Sequence, residues 1–488
     1  MGDELRDPTG ARVEPLTSDQ GGPGEGERPT ELERLGRWFD ERTGFAAWTR
    51  TALRKVFPDH WSFLLGEVAL FCFVILVATG TYLAFFFVPD ARPTHYDGPY
   101  APLRGAEVSA AFDSVMRISF EVRAGLVMRQ VHHWAALVFV ASIVLHLSRV
   151  FFTGAFRRPR ELNWLIGFTL LTLAMAMGFT GYSLPDDLLS GTGMRIAYSA
   201  AISIPFIGPW FASLIFGGEF PTAEIISRLF VFHIFLLPLL MFGLIGAHLG
   251  LLWLQKHTQY KGEGATEQNV VGRHFWPGQV FRSAGLFFLT AAVLALLGGL
   301  VQINPVWLYG PFIPYVVSSP AQPDWYIGWL EGALRIAPPF EPTIPVVNIT
   351  IPTSFLPGVV VPGVLFTIVA LWPFIEARVS RDGREHHLLD WPWEAPGRTA
   401  TGVAILAFFG VLTLAGANDI LAATFNVRVE LITDIFRFLA VALPIVLWLL
   451  TYRLCRERAA VTAAPMREHR GIALRRTAAG GFEEVEEA

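Results

Sequence analysis

The sequence predicts an all-α integral membrane protein with eight spanning helices, and three observations predict it. Of 488 residues, 52% are hydrophobic and only 16% are charged, where a soluble chain carries about 25% charged residues. Eight apolar stretches approach the roughly 20 residues needed to cross a bilayer. Four histidines sit inside those stretches in two evenly spaced pairs, where polar groups are costly and tend to be functional.

The apolar stretches cover about 63–88, 128–151, 164–182, 229–254, 283–302, 356–376, 400–417 and 435–452. Orientation follows from basic residues beside them. Arg54 and Lys55 precede the first; Arg157, Arg158 and Arg160 follow the second; Lys256 and Lys261 follow the fourth. Arg378, Arg381 and Arg384 follow the sixth, and Arg453, Arg456 and Arg458 the eighth. All are cytoplasmic if the N-terminus is inside, which puts both termini in the cytoplasm, although the outer loops also carry Arg92, Arg104, Arg117 and Arg123. Residues 198–217 are also apolar, but Pro205, Gly208 and Pro209 interrupt them. A short amphipathic hairpin on the outer surface is expected there, not a ninth span. No cleavable leader is expected.

The net charge of −4 gives no reason to expect nucleic acid as a partner. Two cysteines, Cys72 and Cys455, cannot by themselves build a disulfide framework, a zinc site or an iron–sulfur site. Cys72 lies in an apolar run and is expected to pack.

The histidine spacing points to a cofactor. His132 and His146 are 14 residues apart on the second span, and His233 and His248 are 15 apart on the fourth. Four helical turns take about 14.4 residues and rise about 21 Å. Each pair therefore shares a helix face, one member toward each membrane surface. Two such helices face to face bring His132 opposite His233 and His146 opposite His248. Histidine is an axial ligand of haem iron, so two stacked haems are expected. His133 points about 100° away from His132; counted from His133 the spacing is 13, about 3.6 turns.

Neighbouring residues fit the same picture. Gly66 and Gly80 on the first span, and Gly167 and Gly181 on the third, are each 14 apart, where glycine lets a flat ring approach the backbone. Arg129 lies three before His132 and Arg149 three after His146, positions suited to haem carboxylates. Four segments result: a disordered cytoplasmic tail over 1–35, an N-terminal dihaem four-helix domain over 36–275, a C-terminal four-helix domain over 276–455, and a polar cytoplasmic tail over 456–488.

A second site is marked between the fifth and sixth spans. Ser319-Pro320-Ala321-Gln322 leads into Pro323-Asp324-Trp325-Tyr326 on the outer side, the side of His132 and His233. Desolvation favours the neutral form of a carboxylate in such a setting, and it can take a proton from a hydroquinone. Tyr326 can bond a quinone oxygen or that carboxylate.

Together these features resemble the cytochrome b family. The resemblance rests on both histidine pairs, both glycine pairs, Gly181-Tyr182-Ser183-Leu184-Pro185 and Pro323-Asp324-Trp325-Tyr326, over about residues 60–335. Family members usually carry glutamate at the acid of the last motif. Aspartate there is similar to actinobacterial subunits, whose substrate is typically menaquinol. Many relatives have Pro-Trp-Gly where this chain has Pro185-Asp186-Asp187. Leu64 stands where chloroplast-type relatives carry cysteine, so no covalent haem is expected.

The resemblance implies a quinol–cytochrome c oxidoreductase that translocates protons. It implies two non-covalent b haems, one on His132 and His233 and one on His146 and His248, with Arg129, Arg149, Gly66, Gly80, Gly167 and Gly181 around them. It implies quinol binding at Pro323, Asp324, Trp325, Tyr326 and Tyr182, with Asp324 and Tyr326 catalytic. Partners would be a Rieske iron–sulfur subunit, a c-type cytochrome, a second copy of the chain, and a terminal oxidase in a supercomplex. Lys256, His257 and Trp253 lie near the depth of an inner quinone site. Two other readings remain: a dihaem anchor for a dehydrogenase, and a transporter using histidines as proton relays.

Overall fold

The computed structural model describes residues 30–316, 322–346, 348–463, 472–476 and 482–486. Ser319, Pro320 and Ala321 lie outside the described residues. The chain divides into two compact units, 1–55 and 56–488. The halves expected on either side of residue 275 are packed into one unit, because the fifth span lies against the first and second.

In the first unit a helix runs from Glu31 to Thr43, starting inside the segment expected to lack structure. Thr30 and Glu33 form a reciprocal cap at its start, which satisfies two backbone N–H groups that a helix terminus otherwise leaves open. Gly44, with φ +64°, ends it, and a second helix follows over Phe45–Leu53.

In the second unit eight helices are long and apolar enough to cross a membrane: Trp61–Ala84, Gly125–Phe152, Glu161–Ser183, Ile225–Leu254, Phe275–Leu300, Leu356–Ser380, Pro396–Ala415 and Val429–Thr462. The eighth helix continues to Ala463, past the boundary expected at 455. The backbone of the C-terminal segment then pairs Ile472–Arg476 with Phe482–Glu486 in an antiparallel ladder. Helices suit this setting because each satisfies its own backbone hydrogen bonds, which hydrocarbon cannot do. Large apolar side chains point outward along them, among them Phe85, Phe288, Leu300 and Val441, as expected where lipid is the solvent.

Residues 188–217 form two short helices, Leu188–Ile202 and Gly208–Phe216, joined by a bend at Pro205 and Phe206. The break falls at the expected prolines, but the first arm begins at Leu188, ten residues before the expected segment. A further short helix, Trp325–Ile336, packs on the seventh span through Gly328 and Gly332. A side chain at Gly332 would overlap the Leu412 carbonyl. This small-residue spacing lets two backbones meet, and it seats the Asp324 motif at the helix start.

The first four spans enclose the core. Midway between each pair of 14-spaced positions lies a buried residue: Phe73, Phe139, Ala174 and, on the fourth span, Met241. Seven residues are about two turns, so these side chains share the inward face with the histidines and glycines. Phe73 lies tilted against Phe139 at 5.9 Å between ring centres and meets Phe242 edge-on at 5.0 Å. They form an apolar plug between two polar layers.

Candidate functional site

The two layers hold the histidines. His132 faces His233 with ring centres 6.2 Å apart, and His146 faces His248 at 6.4 Å. The 15-residue spacing on the fourth span has a local cause. Pro238 has no N–H for the preceding turn and its ring crowds the carbonyl four residues back. The helix widens there: Leu237 N–H bonds Phe232 C=O, a five-residue step. The wide turn takes up one extra residue, so His233 and His248 keep the same face despite the longer interval.

Hydrogen bonds orient the rings. Thr79 Oγ1 lies 2.9 Å from His132 Nδ1, and Thr180 Oγ1 lies 3.2 Å from His233 Nδ1. His233 Nδ1 also donates to Met177 C=O at 3.1 Å. With Nδ1 engaged in His132 and His233, Nε2 of these two rings is the nitrogen left for a metal. A nitrogen–metal bond is about 2 Å, so two imidazoles on one ion stand ~6 Å apart between ring centres, as these do. Among the described residues no three His, Cys, Asp or Glu side chains cluster to hold a metal. An ion between these pairs therefore brings its remaining ligands with it, as a macrocycle does.

Each spaced glycine meets one of these rings. A Cβ at Gly181 would lie 2.6 Å from His233 Cε1, at Gly80 3.0 Å from His132, at Gly66 3.2 Å from His146 and at Gly167 3.3 Å from His248. The glycines make room for the imidazole edges, and Gly80 and Gly181 also line the cavity beside the His132 layer. Arg149 stacks over Phe63 at 4.2 Å. Arg129 donates through Nη1 to Asn304 C=O at 2.9 Å, while its Nε and Nη2 are buried without a partner among the described residues.

The His132 layer opens into a cavity of about 420 Å³. Its wall includes Gly80, Arg129, His132, His133, Gly181, Tyr182, His233, Asp324 and Tyr326. The residues expected around one haem and the acid motif thus share one chamber. Pro323 and Trp325 flank Asp324, with Trp325 edge-on to Tyr326 at 5.9 Å.

His133 has a partner that its spacing did not reveal. Its Nε2 lies 2.9 and 3.1 Å from the two Asp324 oxygens, and the Tyr326 hydroxyl donates to Asp324 at 2.9 Å. Burial and the Asp324 charge push the Tyr326 hydroxyl well above its ordinary pKa, so it stays a donor. Gly178 leaves room for that hydroxyl; any Cβ there would collide with it. Sequence spacing gave no sign of Gly178 or of the His133 contact, because both join residues far apart in the chain.

The corner after the third span also bears on the chamber. Asp186 and Asp187 are pushed up to about 6, chiefly by burial, with hydrogen bonds from Ser109 and Ser190 respectively opposing. At the opposite end, His257 is buried against Phe57 at 4.4 Å between ring centres, and Lys256 donates to Gln268 C=O. Asp59 pairs with Arg273 and Arg282 there, and Glu67 accepts from Gln279 and Ser283.

Comparison with known proteins matches this arrangement. Residues 137–311 match a family model described as cytochrome b (N-terminal)/b6/petB. The cytochrome bc1 complex cytochrome b subunit of Streptomyces coelicolor is 47% identical over 87% of this chain and 77% of its own length. The subunit of that name in Mycobacterium tuberculosis is 50% identical, and that in Corynebacterium diphtheriae 46%, over 87% of this chain and 77% and 78% of theirs. A solved chain titled hyperthermophilic respiratory complex III superposes with a TM-score of 0.61 over 86% of this chain and 99% of its own, at 20% identity, which bears on the fold alone. With identity of this level along most of its length, the chain belongs to the cytochrome b family, as a multi-pass cytochrome b subunit of the cytochrome bc1 type.

Proposed function

We propose that this chain oxidises quinol in the chamber shared by His132, His233 and Asp324, as the membrane subunit of a quinol–cytochrome c oxidoreductase. The carrying observation is that two facing histidine pairs stand one above the other and the upper pair shares its cavity with Asp324 and Tyr326. Two non-covalent b haems fit the residues present: His132 with His233, and His146 with His248, would hold the irons; Arg129, with Nε and Nη2 buried and unpartnered among the described residues, and Arg149, with Nε so, would take carboxylates. When bound, each haem supplies a one-electron carrier, and a stacked pair supplies an electron route across the membrane.

The chain's own residues handle the proton and the substrate. Asp324 accepts a proton from a quinol hydroxyl. His133 and Tyr326 hold that carboxylate in one orientation by hydrogen bonds from two directions. Tyr182 closes the same chamber. The phenyl and aliphatic walls exclude water, which strengthens each polar contact inside. The His132 end faces outward, with both termini cytoplasmic, as the flanking basic residues support. Menaquinol is the substrate suggested by Asp324 in the motif. A Rieske iron–sulfur subunit takes the first electron, since Cys72 and Cys455 lie on different spans and no three His, Cys, Asp or Glu side chains cluster among the described residues. A c-type cytochrome, a second copy of the chain and a terminal oxidase complete the assembly.

The test is a reduced-minus-oxidised spectrum with haem extraction, wild type beside His146→Ala. Two b haems in the wild type and one in the variant are expected. A wild-type protein without haem overturns the electron-transfer reading and favours the transporter alternative.

A further inference from the structure

A group of buried polar atoms near Arg129 is left open by the protein itself. Arg129 Nε and Nη2, Asp187 Oδ2 and Asn304 Oδ1 are all buried and lack a hydrogen-bond partner among the described residues. Buried polar groups are almost always paired, so several orphans together call for an explanation.

The chain brings them to one place. Arg129 bonds the Asn304 carbonyl, and both residues line the His132 chamber. Asp187 caps the helix Leu188–Ile202: its Oδ1 accepts from Ser190 N–H at 2.7 Å, which leaves Oδ2 over. Leu188 N–H bonds Gly310 C=O at 2.9 Å, and Asp187 pairs with Pro311, so this corner is stitched to the segment bearing Asn304. Arg129 and Asp187 feel each other's charge. The other titratable groups that interact with Asp187 are Tyr309, Tyr182 and its neighbour Asp186.

The orphans are of opposite kinds. Arg129 offers two donors; Asp187 and Asn304 offer acceptors. A filling group must accept from the guanidinium and donate to a carboxylate. A carboxyl that shares a proton does both. Haem carries carboxylates on its edge, and Arg129 lies one turn before His132. Two carboxylates against one guanidinium cannot both stay ionised in a dry site without cost.

We propose that Asp187 shares a proton with the haem carboxylate held by Arg129, so that reduction at the His132–His233 position is coupled to protonation of Asp187. This rests on the haem reading above. With haem bound, reduction by one electron from quinol would be accompanied by uptake of one proton onto the pair formed by Asp187 and the haem carboxylate. Reoxidation would pass the electron to the next acceptor and release that proton.

The test is an optical redox titration of the assembled complex from pH 5.5 to 8.5, using wild type, Asp187→Asn and Asp187→Ser. Asn and Ser both cap helices as well as Asp does, so the helix Leu188–Ile202 is retained. The His146–His248 haem in each sample is the internal control. In the wild type the outer midpoint potential should fall as pH rises, at most tenfold in equilibrium constant per unit, about 59 mV for one electron. In both variants the slope should flatten and the potential at pH 8 should rise, with the inner haem unchanged. A pH-independent wild-type potential overturns the proposal without any variant, as does a slope that survives in Asp187→Asn. A wild type with no haem refutes the functional reading instead, so the two failures are told apart.

Discussion

At the scale of single residues, the spaced glycines and the imidazoles constrain each other. The clearance differs from layer to layer, from 2.6 Å at Gly181 to 3.3 Å at Gly167. Substitution by alanine should therefore cost haem in a set order. Gly181→Ala should lose the haem of its layer, Gly80→Ala should retain part, and Gly66→Ala and Gly167→Ala should be near wild type. Haem per polypeptide by extraction checks the order, and equal loss at all four would refute it. The His133–Asp324 contact predicts a different signature. His133→Ala frees the carboxylate to turn, and misplacement of about 1 Å can cost about 10²-fold in rate. Quinol turnover should drop by about that factor while both haem spectra persist. If turnover holds, Asp324 does not need the contact.

At the scale of elements, the wide turn at Phe232–Leu236 sets the register of the fourth span. Removing one residue there, for instance Leu236, leaves a 14-residue interval and an ordinary turn, so both haems should survive. Removing one residue between His132 and His146, for instance Val138, rotates one histidine by about 100° and should lose a haem. Spectra of the two deletions decide between them; equal outcomes would show that register is unimportant. The corner helix carries a pH effect. Asp186 and Asp187 lose their protons near 3.8 in an unfolded chain and near 6 in the fold. Between those values the folded state binds more protons, so stability falls as pH rises through that window. Asp187→Asn should flatten this slope by up to about 1.4 kcal/mol per pH unit, seen as the difference between wild-type and variant melting from pH 4 to 7.

At the scale of the whole molecule, the two halves are joined by buried charge as well as by apolar packing. Arg398 on the seventh span meets Glu376 on the sixth at 2.7 Å and Asp390 between them at 3.0 Å, and Arg157 after the second span meets Asp390 at 3.0 Å. Arg398 is only 4% exposed in its side chain. Breaking such a buried set is costly because it leaves charges without partners. Arg398→Ala should destabilise the protein by about 3–5 kcal/mol. Removal of the exposed Arg453–Glu457 pair should be undetectable in the same melting experiment. Trp164 and Trp134 add ties from the third span to the Val369 carbonyl and from the second to the Val301 carbonyl.

The number of spans, the outer hairpin and the pairing of His132 with His233 and His146 with His248 could be read directly from the chain. Each depends on intervals along one helix, and an α-helix converts interval into face with little freedom. The tertiary structure alone decided what lies between distant segments. It put His133 on Asp324, 191 residues away. It set Tyr326 against Gly178, turned the glycines toward imidazole edges, and gathered Arg129, Asp187 and Asn304. It also absorbed the fifteenth residue of the second pair in a wide turn. Such contacts depend on how helices are rotated and set in depth against one another, which the packing of all eight determines together and no single interval records.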